Sequence, residues 1–214
     1  MKKLLTVLLI LCIPYVYLMI IWPQLPEVVP MHFTLNGAID RYGNKSELLI
    51  LTATLSFVII LVYLFIAHIH RLAPKMASAE NKERLQKIAL AVVVFMTGVQ
   101  AWLIYIVQKG EPDFSIKFVL VALCLLLAIM GNYMPNLKPN YVAGFRLPWT
   151  LENENNWRKT HHLAGRFWFG GGLLCAFLLL ILPFKMAVII FSVSMLALIF
   201  VPAIYSYRLF KQSK

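Results

Sequence analysis

Residues 48–67 read LLILTATLSFVIILVYLFIA, twenty consecutive positions without a charged side chain. About 20 helical residues cover a hydrocarbon core of ~30 Å, so the run has the length of a transmembrane helix. Comparable runs recur at residues 4–22, 88–107, 118–134, 167–182 and 186–205, which makes six expected spans. Composition agrees: 61% of the residues are apolar and 14% charged, outside the range of ordinary soluble domains. The N-terminus has the Lys2-Lys3 start of a signal peptide, yet the apolar stretch behind it is too long and has no small-x-small cleavage site. It is expected to stay as the first helix.

Orientation follows from the cations. One set of connections holds Lys2 and Lys3, Arg71 to Lys87, Lys138 to Arg166, and Arg208 to Lys214, fifteen Lys and Arg in all; the other holds five, Arg41, Lys45, Lys109, Lys117 and Lys185. Cytoplasmic loops are the Lys/Arg-rich ones, so both termini are expected in the cytoplasm. The net charge of +11 is spread over several loops rather than gathered on one folded face. Topology and anionic lipid headgroups account for it, and direct nucleic-acid binding is not expected. Cys12, Cys124 and Cys175 fall inside spans with no metal-ligand spacing, which reads as buried free thiols.

The only sizeable outer connection is PQLPEVVPMHFTLNGAIDRYGNKSE, residues 23–47. Pro23, Pro26 and Pro30 stop the first helix and favour extended backbone, and Asn36-Gly37 signals a two-residue hairpin turn. In that register Leu35 faces Ala38, Phe33 faces Asp40 and His32 faces Arg41, so His32 points away from Asp40. The Phe33 and Leu35 side should rest on helix ends or the headgroup layer. On the second connection Ser78 is placed to cap a helix running into the third span, with Glu80–Arg84 and Glu83–Lys87 pairs four apart. His68 and His70 are two apart and point to different faces, a poor metal pair.

The longest polar stretch, NYVAGFRLPWTLENENNWRKTHHLAG, occupies residues 140–165 between the fourth and fifth runs. Pro139 and Pro148 bracket an extended or turning part in which Gly144 permits a conformation closed to other residues. Thr150 is expected to cap a helix on which Asn153, Trp157, His161 and Gly165 form one stripe, with Glu152, Asn155, Lys159 and His162 on the other side. Such a helix suits the cytoplasmic membrane interface before it bends into the fifth span. Gly165 and Gly170-Gly171-Gly172 would allow close helix packing.

Both loops resemble one family. Pro30, His32, Phe33, Gly37 and Asp40 match the Pro-x-His-Phe, Gly-x-x-Asp pattern of the domain of unknown function 1648 (DUF1648), behind a first transmembrane helix as there. Asn140, Gly144, Arg146, Trp149, Thr150, Asn153, Trp157, His161 and Gly165 resemble the signature of the SdpI family. The resemblance divides the chain into a DUF1648-like part, 1–68, a central two-helix part, 69–139, and an SdpI-like part, 140–214. The expected fold class is thus an all-α integral membrane protein of six transmembrane helices, with a small outer hairpin and a cytoplasmic interfacial helix, in a bacterial cell membrane. The resemblance implies immunity to a secreted membrane-active peptide toxin, and capture of a cytoplasmic transcriptional repressor as a possible signalling step. Membrane lipid and the toxin are the expected partners. Pro30, His32, Phe33, Gly37, Asp40 and Tyr42 are the candidate binding residues outside; Asn140, Gly144, Arg146, Trp149, Asn153, Trp157, His161 and Gly165 form the inner motif.

Two other classes are less well supported. A transporter or channel usually keeps ionisable groups at bilayer depth; here Gln100 and Asn132 are the main polar residues within the spans, and no inverted repeat is evident. An enzyme would need a His-Glu-x-x-His helix or a base near Ser56, Ser192 or Ser194, and neither pattern occurs. No catalytic residue, metal or cofactor is expected.

Overall fold

The apolar runs form α1 (Lys2–Ile21), α2 (Ser46–His68), α3 (Ala79–Lys109), α4 (Ser115–Tyr133), α6 (Glu154–Ile181) and α7 (Phe184–Gln212), with a short α5 (Pro148–Glu152) ahead of α6. The computed structural model describes residues 2–34, 38–68, 79–110, 115–141 and 143–212. Six helices in it are long and apolar enough to cross a membrane, and the protein is an all-α multi-pass membrane protein. Large apolar side chains such as Met19, Ile50, Phe65, Leu174 and Phe200 lie exposed along these helices, as lipid-facing positions should. Pro14 and Pro202 sit inside α1 and α7; transmembrane helices tolerate proline where neighbours satisfy the freed carbonyl.

Contacts gather the chain into two compact units, Met1–Leu64 with Val92–Val119, and Phe65–Ala91 with Leu120–Lys214. In the first, strands β1 (Val28–Phe33) and β2 (Ile39–Asn44) pair antiparallel. The hairpin rests on a core of Leu18, Ile21, Leu25, Val29, Leu48, Ile104 and Val107, with Met31 and Trp22 against it. Polar clamps hold it there. Lys45 bonds Glu27 through its ammonium (2.7 Å) and through its backbone N–H to the Glu27 carbonyl (2.9 Å). Asn44 Oδ1 accepts from Ser46 N–H (2.9 Å) while Glu47 accepts from Asn44 N–H (3.1 Å), a reciprocal cap that joins β2 to α2.

The register differs from the one expected. Phe33 pairs with Ile39 rather than Asp40, Pro30 pairs with Tyr42, and Thr34 N–H bonds the Ala38 carbonyl (2.8 Å). Three residues, 35–37, therefore separate the closing pair instead of two. They lie outside the described residues, and Gly37 with them, as do His70 and Ser78. His32 remains opposite Arg41 only because the ladder is irregular on either side of it. A one-residue slip turns a side chain to the other face, which brings His32 and Asp40 together.

The second unit is built on close helix crossings. A Cβ at Gly131 would meet the Phe169 backbone nitrogen at 2.6 Å, one at Gly165 the Pro135 ring at 2.5 Å, and one at Gly172 the Cys124 carbonyl at 2.8 Å. Gly170, in contrast, faces open space. Cys124 and Cys175 are buried at this contact, whereas Cys12 is exposed on α1, a correction to the expectation of three buried thiols. A second correction concerns the interfacial segment. It is not a separate helix that bends into the fifth span, because nothing between Glu154 and Ile181 breaks the hydrogen-bond ladder; α6 is continuous over 28 residues. At 1.5 Å per residue it is about 42 Å long, some 12 Å more than the hydrocarbon core. Gly131→Val should lower stability by about 1–3 kcal/mol through overpacking, while Gly170→Ala should not lower it. Thermal unfolding of the two variants in detergent checks this contrast.

Candidate functional site

The hairpin exposes a small polar surface. His32 Nδ1 lies 2.6 Å from Asp40 Oδ1, both well exposed, and Arg41 reaches Glu47 at 3.2 Å. Tyr42 and Val28 stand exposed nearby, whereas Pro30 is buried and Phe33 half-buried. Of the outer candidates, then, His32, Asp40 and Tyr42 are presented, and Pro30 and Phe33 hold the strand in place. An exposed polar pair contributes little stability, so His32 and Asp40 are available to a partner at small cost.

The stretch ahead of α6 has the opposite character. Between Leu137 and Leu147 the described residues form neither a helix nor a sheet, yet their backbone is bonded by side chains. Trp157 Nε1 donates to the Leu137 carbonyl (2.7 Å). Asn81, from α3, accepts from Lys138 N–H (3.1 Å) and donates to its carbonyl (3.2 Å). Asn140 donates to the same carbonyl (2.8 Å) and accepts from Ala143 N–H (2.7 Å). Arg146 donates to the Tyr141 carbonyl (2.9 Å). Thr150 Oγ1 donates to the Phe145 carbonyl (2.6 Å) and accepts from Leu147 N–H (3.0 Å).

His161 completes the set. Its Nε2 accepts from Phe145 N–H (3.0 Å), so the ring is the neutral Nδ1–H tautomer, and Nδ1 donates to the Trp157 carbonyl (2.8 Å). The imidazole stacks on Trp157, centroids 3.9 Å apart, and is fully buried. Gly144 has φ 103°, and a Cβ there would run into the His161 ring; only glycine suits both demands. With both ring nitrogens engaged, His161 offers no lone pair to a substrate or a metal.

The remaining motif residues are accounted for in the same way. Asn153 caps α6 by accepting from Asn156 N–H (3.0 Å), so it, and not Thr150, is the helix cap; Thr150 sits inside α5, which Pro148 starts one turn early. Trp149 Nε1 donates to Ser206 Oγ (2.8 Å) and stacks on Phe210. Ser206 in turn donates to Asn156 Oδ1 (3.0 Å), which also accepts from Thr160 (2.9 Å). Asn81, Asn156, Thr160 and Ser206 were not among the sequence candidates. Asn156 and Thr160 lie four apart beside Trp157 and His161, and a stripe widened by one residue would have included them; Asn81 carries no comparable local signal.

Residues 136–206 match the SdpI/YfhL protein family, and residues 9–57 match DUF1648, a domain of unknown function. Over 218 residues the chain is 23% identical to the "Immunity protein SdpI" of Bacillus subtilis, covering 99% of this chain and 98% of that protein. The chain carries an SdpI/YfhL segment behind a DUF1648 domain. A stretch of 42 residues is also 48% identical to an uncharacterized protein of Archaeoglobus fulgidus, covering 20% of this chain and 23% of that one. No solved structure gives a significant match. The SdpI/YfhL segment takes in the braced stretch from Leu137, α5 and α6, and ends at Ser206, the partner of Trp149 and Asn156. The DUF1648 segment takes in most of α1, the hairpin and its clamps, and the first half of α2.

Gly144→Ala should destabilise the protein by about 1–3 kcal/mol through its left-handed φ, together with the clash on His161. His161→Ala should relieve the clash and leave the φ strain, so the double variant should lose less than the two singles added. A double-mutant cycle on unfolding free energies measures this. Trp157→Phe, which leaves the Leu137 carbonyl without its donor, should lose about 1 kcal/mol in the same assay.

Proposed function

We propose that this protein is a bacterial membrane immunity protein, protecting the cell that carries it from a secreted, membrane-active peptide toxin. The observation that carries the reading is the end-to-end match to Immunity protein SdpI, in which both chains are covered almost completely. The cation count puts the hairpin outside, where a secreted peptide arrives. His32, Asp40 and Tyr42 are then the contact residues, and the clamped core beneath them is the base that holds them.

On the cytoplasmic side, the braced stretch is the structural foot of the protein. Capture of a transcriptional repressor, which the family resemblance implies, would fall to the exposed face of α6, where Asn155, Lys159 and His162 stand in the first three turns. Differential affinity between a toxin-bound and a free state is what such signalling requires.

Expression of the protein in a sensitive strain should raise survival when the cells are challenged with a panel of secreted peptide toxins. Asp40→Ala should reduce the protective effect roughly tenfold in toxin dose, the equivalent of one charged contact, with membrane insertion unchanged. Trp157→Ala should weaken protection through the loss of its carbonyl bond and stacking. Survival that is the same with and without the protein, against every toxin tried, sinks the immunity reading. A small DNA-binding protein that co-purifies with toxin-treated but not untreated membranes would support the signalling step; its equal recovery from both would refute it.

A further inference from the structure

The buried stripe of α2 runs through Leu48, Thr52, Ser56, Ile59 and Tyr63, and that of α3 through Val93, Thr97, Gln100 and Ile104. Both helices are apolar, yet each buried stripe carries polar side chains in its middle, Thr52 and Ser56 on α2 and Thr97 and Gln100 on α3. Gln100 Nε2 donates to the Thr52 carbonyl (2.8 Å) and to Ser56 Oγ (3.1 Å). Those two bonds use both amide hydrogens and fix the amide plane. Three atoms are then left over: Gln100 Oε1, Thr52 Oγ1 and Thr97 Oγ1 are each buried and have no hydrogen-bond partner among the described residues.

A threonine on a helix can satisfy itself on the carbonyl four residues back, as Thr54 does on Ile50 (2.8 Å). Thr52 and Thr97 do not. Thr97 lies one turn before Gln100, so its hydroxyl shares the face that carries the amide, and Thr52 lies one turn before Ser56, to which that amide is bonded. The group consists of one obligatory acceptor and two hydroxyls, with no formal charge. No Asp or Glu occurs between residues 48 and 79 or between 84 and 110, so an uncompensated cation at this depth would be disfavoured. A neutral ligand that donates to one atom and accepts from the others fits, and a water bound inside a protein typically makes about three such bonds.

We propose that Thr52, Thr97 and Gln100 form a site for bound water at bilayer depth, one or two molecules that donate to Gln100 Oε1 and accept from the two hydroxyls. The polar joint of α2 with α3 is then hydrated rather than dry. This does not depend on the immunity reading, and it gives the polar residues within these two helices a task other than transport.

Thr52 and Thr97 do not hydrogen-bond each other, so the loss of one shared ligand would show as coupling between their hydroxyls. The test is a double-mutant cycle on the full chain, Thr52→Val and Thr97→Val, read as melting temperature in detergent. Each isosteric change should lower the melting temperature by about 2–4 °C. The double variant should fall no further than the worse single, and Thr52→Ser, which keeps the hydroxyl, should stay near wild type. The whole cycle should be the same in sodium and choline buffers. If removing either hydroxyl raises the melting temperature, or if the two losses add, the hydroxyls share no ligand and the proposal falls. If the coupling appears only with sodium, the ligand is an ion and the assignment to water is wrong.

Discussion

Between Leu137 and Leu147, in the connection of two membrane-spanning helices, the described backbone is non-helical, and its polar groups have no ladder of their own to satisfy them. In or near a bilayer each such group left unbonded is costly. Six side chains, from Asn81, Asn140, Arg146, Thr150, Trp157 and His161, supply the missing partners. The rest of this unit follows from that requirement. Trp157 and His161 must sit one turn apart on α6 to reach both Leu137 and Phe145, Asn153 must cap α6 to start the helix in that phase, and Gly144 must carry a positive φ to leave room for the imidazole.

The family-like motif residues of this stretch thereby acquire a common explanation. They are a device for holding irregular backbone still, and the bonds of Trp149 and Asn156 to Ser206 tie the same device to α7. Rigid placement also limits what the motif can do. His161 is enclosed and doubly bonded, so what remains for outside partners is the exposed face of α6 and, in the other unit, the hairpin. There the polar groups are arranged in the opposite manner, exposed at His32 and Asp40 and anchored from below by the Lys45–Glu27 and Glu47–Asn44 contacts.

Much of this was legible in the chain. The apolar runs located all six long helices, since the hydrocarbon thickness fixes their length, and Gly144 and the Trp157, His161, Gly165 stripe were visible from conformation and spacing. What escaped was set by tertiary contacts. The hairpin register depended on ladder irregularities around His32, which no dipeptide signals. The start of α6 depended on whether Thr150 or Asn153 would cap, and Pro148 decided it by nucleating a short helix first. Asn81 came from a segment far away in sequence, and nothing local marks an asparagine that will grip a peptide more than fifty residues on. The polar network at Asn156 and Ser206 joins two helices whose facing sides cannot be paired from either one alone.

The stretch before α6 is a braced foot and not an open loop. Amide hydrogen exchange of the full chain in lipid nanodiscs tests it most directly, at the N–H groups of Lys138, Ala143, Phe145 and Leu147. Exchange should be slow at all four, with a selective rise at Phe145 when His161 is replaced by alanine. Exchange at the rate of an exposed loop in the wild-type protein would contradict it.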